Sequence, residues 1–137
     1  MTLSRRHEHP RQALLIGAPH GNDEGIHNDL AAMHDALQTR GLESEDILSL
    51  EGNLDRQILM AVLEGISRRI AQWNEGEFFL YFSGHGFFTG DTVEKARVGI
   101  DLQNVTPGSI MQNVYWEEIF SALSIPEAVM FTMLIVH

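Results

Sequence analysis

The chain has 137 residues, 44% hydrophobic and 20% charged, the size and mixture of one globular domain, which excludes a disordered chain. Nine Lys and Arg stand against nineteen Asp and Glu, a formal charge of −10; nonspecific nucleic-acid binding and docking to an anionic membrane both need a basic face and are disfavoured. Cysteine is absent, so disulfides, thiolate metal sites and a cysteine nucleophile are excluded within this chain.

Residues 1–12 are polar, with three Arg and two His, and are expected to form a loose lead-in to one domain over residues 13–137. No apolar h-region marks a secretory signal, and no stretch reaches the ~18–20 apolar residues of a membrane span. A cytoplasmic location is expected. Ala13-Leu14-Leu15-Ile16-Gly17 is a short apolar run followed at once by turn-formers, the pattern of a buried strand and a loop. Ile26, Leu30, Met33 and Leu37 then share one helical face, and Gly41 supplies the stop after Arg40. Asp46 to Leu50 is the second strand. Asn53 or Asp55 can cap a second helix, whose apolar spacing runs from Ile58 to Trp73. Phe78 to Phe82 is apolar on both faces, as a central strand should be, and Ser83-Gly84-His85-Gly86 is expected to break it. Val98 to Asp101 is a short strand. Val114 to Leu123 is a third helix with Ile119, Phe120 and Leu123 inward, and Ala128 to Val136 is a fourth buried strand.

The order β-α-β-α-β-loop-α-β predicts an α/β fold: a three-layer sandwich with a mostly parallel sheet and helices on both faces. Such sheets bind ligands beyond the carboxyl ends of their strands. The segment Ser83 to Gly86 falls there. Glycines flank its one histidine, so another group can approach closely, and an imidazole can exchange a proton near neutral pH. The N–H of Gly86 could face a developing oxyanion. A tight turn carrying an exposed histidine fits the same residues.

Phe79-Leu80-Tyr81-Phe82-Ser83-Gly84-His85-Gly86 resembles the catalytic-histidine motif of the caspase-like cysteine peptidases, the group of caspases, metacaspases and bacterial relatives. The first strand, Asn28-Asp29 with the helix through Met33 and Leu37, the strand Ile47 to Leu50, the helix from Asp55, and Asp91 with the strand ending at Asp101 are similar to what those proteins carry in the same order. The likeness spans roughly 13–136. It implies a cysteine endopeptidase in which His85 is the base or acid, Gly86 lends its N–H to the oxyanion hole, and Asp29 shapes a pocket for an Arg or Lys side chain. Asp29 also fits a bland role as an acid in a helix's first turn.

The departure from that family is the missing cysteine. The nucleophile there follows the fourth strand, and here the sequence stops at His137. The expectation is a domain incomplete at its C-terminus and marginally stable, because its last strand leaves an edge open. The expected partners are a peptide or protein substrate and a second chain or C-terminal segment that completes the domain. The alternative is a catalytically inactive pseudopeptidase acting as a protein-interaction module, and a third reading is a flavodoxin-like binding domain with a dispensable His85. Neither cofactor nor metal is expected. His7, His9, His20 and His27 lack ligand spacing, and Asn22-Asp23-Glu24 lacks that of an EF-hand. Gly17 to Gly21 lacks the Walker pattern and its lysine. Ser83 is not read as a nucleophile, because the G-x-S-x-G elbow is absent and neighbours on an extended strand face opposite ways.

Overall fold

The computed structural model describes residues 9–18, 24–52, 54–102 and 113–136. In chain order these form β1 (Arg11–Ala18), α1 (Glu24–Thr39), β2 (Ile47–Glu51), α2 (Arg56–Ile70), β3 (Gly76–Thr89), β4 (Arg97–Asp101), β5 (Asn113–Tyr115), α3 (Trp116–Leu123) and β6 (Val129–Val136). The architecture is α/β with a mixed sheet. β1 lies between β2 and β3, parallel to both. β6 runs parallel along the other side of β3, from Gly76↔Val129 to Ser83↔Val136. β3 then outruns its parallel neighbours and pairs antiparallel with β4, which pairs antiparallel with β5.

The apolar runs in β1 and β3 follow from cover on both faces. Ala13, Leu15 and Tyr81 pack with Ile26, Leu30 and Leu37 of α1 on one side. Leu14, Ile16, Phe78, Leu80 and Phe82 pack with Leu59, Leu63 and Ile70 of α2 and Ile119 and Leu123 of α3 on the other. Leu59, Leu63, Ile70, Ile119 and Leu123 are fully buried, a gain of roughly 1.5–3 kcal/mol each over an exposed position. Asp55 caps α2, its Oδ1 accepting from the Ile58 N–H at 2.7 Å; Asn53, the other candidate cap, lies outside the described residues. The guanidinium of Arg11 donates to the carbonyls of Arg40 and Gly41, just past the end of α1, at 3.2 Å each.

Several expectations are corrected. β1 begins at Arg11, not Ala13, because the buried Gln12 amide is held in place: it donates to the Asp46 carbonyl at 3.2 Å and accepts from Arg69 at 2.7 Å. α2 stops at Ile70. Trp73 lies beyond it in a turn and packs so closely on Gly76 that a Cβ there would sit 2.6 Å from its ring. Ser83 to Gly86 does not break β3, since β4 takes up its backbone from His85 onward. Val114 is strand rather than helix, drawn into the sheet opposite Ile100. Phe120 is exposed, stacking on Trp116 and meeting Phe131 edge-on. β6 is not a buried strand: Val129 is buried, but Met130, Met133, Leu134 and Ile135 are exposed.

Candidate functional site

The carboxyl ends of β1 and β3 lie side by side, with Gly17 opposite Ser83 and Ala18 opposite Gly84. A side chain at Gly84 has no room there. A Cβ would come within 2.8 Å of the Phe82 ring, 3.0 Å of the Ala18 carbonyl oxygen and 3.3 Å of the Ala18 Cβ. Gly86 is different: a Cβ would meet only the Gly99 carbonyl, at 3.2 Å. The first glycine lets two strands close up. The second sits on the exposed arm of the β3–β4 hairpin.

His85 lies between these two glycines and is exposed. It stands where β3 passes from parallel pairing with β1 to antiparallel pairing with β4, and its register partner is Asp101. A carboxylate-bearing residue opposite an imidazole suits a proton-transfer group that needs orienting.

Asp29 reaches this edge from α1. Its Oδ2 accepts a hydrogen bond from the hydroxyl of Ser83 at 3.0 Å. Ser83 itself is fully buried, so the bond satisfies a hydroxyl that would otherwise be costly to bury. Tyr81 is also buried on this side of the sheet. Burial, and secondly the Asp29 charge, push its phenol above the ordinary tyrosine range. Asp29 is thus bonded to a residue only two positions from His85 along β3. His85 and Gly86 are adjacent on the hairpin.

The part played by Ser83 is not foreseen from the sequence, where it stands only as a rejected nucleophile. Strand alternation does not separate it from His85, because Gly84 intervenes and residues two apart share a strand face. That same spacing, Tyr81-x-Ser83-x-His85, was the available signal. Ser83 is instead committed to Asp29.

The remaining candidates do not join this site. His9 pairs with Glu77 at 2.6 Å, and His27 pairs with Glu51 at 2.8 Å. His7, His20 and Asn22 to Asp23 lie outside the described residues. Among the described residues no cluster of three or more His, Asp or Glu is arranged to hold a metal, and no helix is long and apolar enough to cross a membrane. A cleft of about 650 Å³ between α1, β3 and β6 is lined by Arg11, Arg40, Glu77 and Leu134 among others, at a distance from the carboxyl edge. The sequence matches no protein-family model and no curated protein.

Proposed function

We propose that this chain is the histidine-bearing part of a caspase-like cysteine endopeptidase. The observation that carries the reading is the Ser83–Asp29 hydrogen bond, which seats an acid from the first helix beside the histidine strand at the carboxyl edge of the sheet. The strand order, the long histidine strand and the hairpin after it support the same reading.

In this proposal Asp29 receives a cationic side chain of the substrate by charge pairing, and Ser83 fixes the carboxylate's direction. The thiolate comes from a cysteine outside these 137 residues, on a C-terminal segment or a second chain, and His85 takes the proton that its thiol gives up. Its sulfur bonds to the scissile carbonyl carbon while the Gly86 N–H stabilises the oxyanion. The C–N bond then breaks, and His85 gives the leaving amine its proton. Water then attacks the thioester as His85 accepts its proton, the C–S bond breaks, the carboxylic acid product leaves, and the released thiolate is again paired with the protonated His85.

A second reading is favoured by the absence of cysteine: a catalytically inactive module that binds basic peptides at Asp29. One set of measurements separates them. The native gene product is sized by intact mass, its C-terminal peptide is sequenced, and it is assayed on Arg-, Lys- and Asp-ended peptides. A cysteine-containing product that cleaves after Arg or Lys, and loses this in His85→Ala, supports the peptidase. A cysteine-free product that still binds Arg-ended peptides through Asp29 supports the module. Activity or binding indifferent to both His85→Ala and Asp29→Asn overturns both readings.

A further inference from the structure

Past Gly84, β3 leaves β1 and β6 and forms an antiparallel ribbon with β4 and β5. Its register sorts the side chains by face. His85 stands opposite Asp101, and Asp101 opposite Asn113. The next row is Phe87, Gly99 and Tyr115, and the row after it pairs Thr89 with Arg97. Register partners share a face, and so do residues two apart on one strand. These rows therefore lie on one face of the ribbon, the face that carries His85. Gly86, Ile100 and Val114 belong to the other face, where Ile100 and Val114 are buried in the core.

A cavity of about 510 Å³ is lined by Phe87, Thr89, Arg97 and Tyr115 of the His85 face, with Arg56 of α2 and Glu118 of α3. Its walls are aromatic. The Phe87 and Tyr115 rings lie 5.1 Å apart at 57°. Gly99 between them lets the Phe87 ring settle on the sheet, since a Cβ there would come 2.7 Å from its Cε1. The Tyr115 hydroxyl is 3.3 Å from that of Thr89, and the Arg97 guanidinium lies 3.6 Å over the Tyr115 ring. Both arginines are already paired, Arg97 with Glu117 and Arg56 with Glu118, so neither is left to select a charged guest. Flat rings and a stacked guanidinium instead attract an aromatic one.

We propose that this cavity receives an aromatic side chain of the peptide substrate, two residues past the scissile bond on the side of the leaving amine. The inference rests on the peptidase reading, in which Asp29 takes the cationic side chain before the bond and His85 protonates the amine after it. Asp29 is bonded to Ser83. The order along β3 is thus Ser83, His85, Phe87, which sets the residue before the bond, the amine and the cavity in sequence. From His85 to Phe87 is two strand residues, about 6.6 Å. An extended substrate advances by the same ~3.3 Å per residue, so its second residue past the bond comes level with Phe87 and Tyr115. A side chain held there fixes the leaving amine at His85 without itself reacting.

The test measures binding by the native gene product, with any nucleophilic cysteine changed to alanine so that bound peptide is not cut. The probes are the fluorescein-labelled peptide Ala-Ala-Arg-Ala-Ala-Ala and its single-tryptophan variants, followed by fluorescence anisotropy. Tryptophan at the second position after the arginine should tighten binding about tenfold. Tryptophan at the second position before it should not. Phe87→Ala should cut the gain below about twofold, and this ratio of two peptides on one protein is one that a general structural loss would not move. Arg97→Ala should also shrink it, and that side chain is 46% exposed, so folding is kept even where Phe87→Ala loses it. Asp29→Asn should weaken every arginine peptide. Peptides that need Asp29 but gain nothing from tryptophan, or gain equally from it on either side of the arginine, overturn the subsite and leave the peptidase reading standing. So does a gain undiminished in either cavity variant. Binding indifferent to Asp29→Asn overturns the peptidase reading, and with it the subsite counted from Asp29 and His85.

Discussion

The sharpest test of the site's construction is a pair of glycine substitutions two residues apart. In Gly84→Ala the new methyl meets the Phe82 ring at 2.8 Å and the Ala18 carbonyl oxygen at 3.0 Å. Neither neighbour yields easily. Phe82 is fully buried, and Ala18 is held to β3 by the strand register. Overpacking of this kind costs about 1–3 kcal/mol. For a domain of this size each kcal/mol lowers Tm by roughly 3–5 °C, so the loss should be about 3–15 °C. In Gly86→Ala the methyl meets one carbonyl at 3.2 Å on an exposed arm of the hairpin, and the cost should stay within about 0.5–1 kcal/mol. Urea unfolding followed by tryptophan fluorescence reads both, since Trp116 lies edge-on to Phe82 with ring centroids 6.2 Å apart. The slope with denaturant should not change while the midpoint moves. Equal losses, or a larger loss in Gly86→Ala, would refute the claim that β1 and β3 close on Gly84.

Two further predictions concern charge. Burial first, and Asp29 second, raise the Tyr81 phenol, so Asp29→Asn should lower its titration midpoint without returning it to the ordinary range; ultraviolet absorbance of the phenolate measures this, and an unmoved midpoint would remove Asp29 from Tyr81's surroundings. Because this folded-state value is raised, its contribution to stability is whole below the unfolded value of about 10 and is lost as pH climbs through the folded one. Glu118 shifts the opposite way: the hydrogen bond from Arg56 chiefly, and then the Tyr115 N–H, hold its carboxyl below the usual range against the opposing effect of burial. Its contribution is present above the unfolded value of about 4.3 and is lost as pH falls through the folded one. The pair is partly solvated, so Glu118→Gln should cost about 0.5–1 kcal/mol at neutral pH and flatten the acid limb of the stability profile. Parallel acid limbs in the two proteins would contradict this.

How far the sequence revealed the fold depended on whether local pattern and tertiary pairing agreed. They agreed for Ile26, Leu30 and Leu37, which lie on the buried face of α1, and for the doubly apolar β1 and β3, which lie between helical layers. They disagreed where a strand partner decided the outcome. Val114 reads as the first turn of the helix that runs to Leu123, yet β4 draws it into the sheet. The glycines around His85 read as a turn, yet β4 extends β3 through them. The run at the end of the chain reads as buried because its apolar composition alone does not reveal that Met130, Met133, Leu134 and Ile135 are exposed. Within the site, the proximity of Asp29 and Ser83 was not legible: they are 54 residues apart, and their contact exists only because α1 packs back across β1 onto β3.

The location of these residues also has a topological reason. After β1 the chain crosses to α1 on one face and returns as β2 on one side of β1. After β3 it reaches α3 on the opposite face and returns as β6 on the other side. β1 and β3 are neighbours, so the connections leaving their carboxyl ends diverge, and open α/β sheets bind ligands in the crevice such divergence creates. At these carboxyl ends Asp29 of α1 accepts the hydrogen bond from Ser83 of β3, and the exposed His85 lies two residues further along β3. Gly84 is the residue that lets β1 and β3 close up there. The strand order and the Ser83–Asp29 contact therefore mark this edge as the first place to look for a bound ligand, whatever becomes of the peptidase proposal.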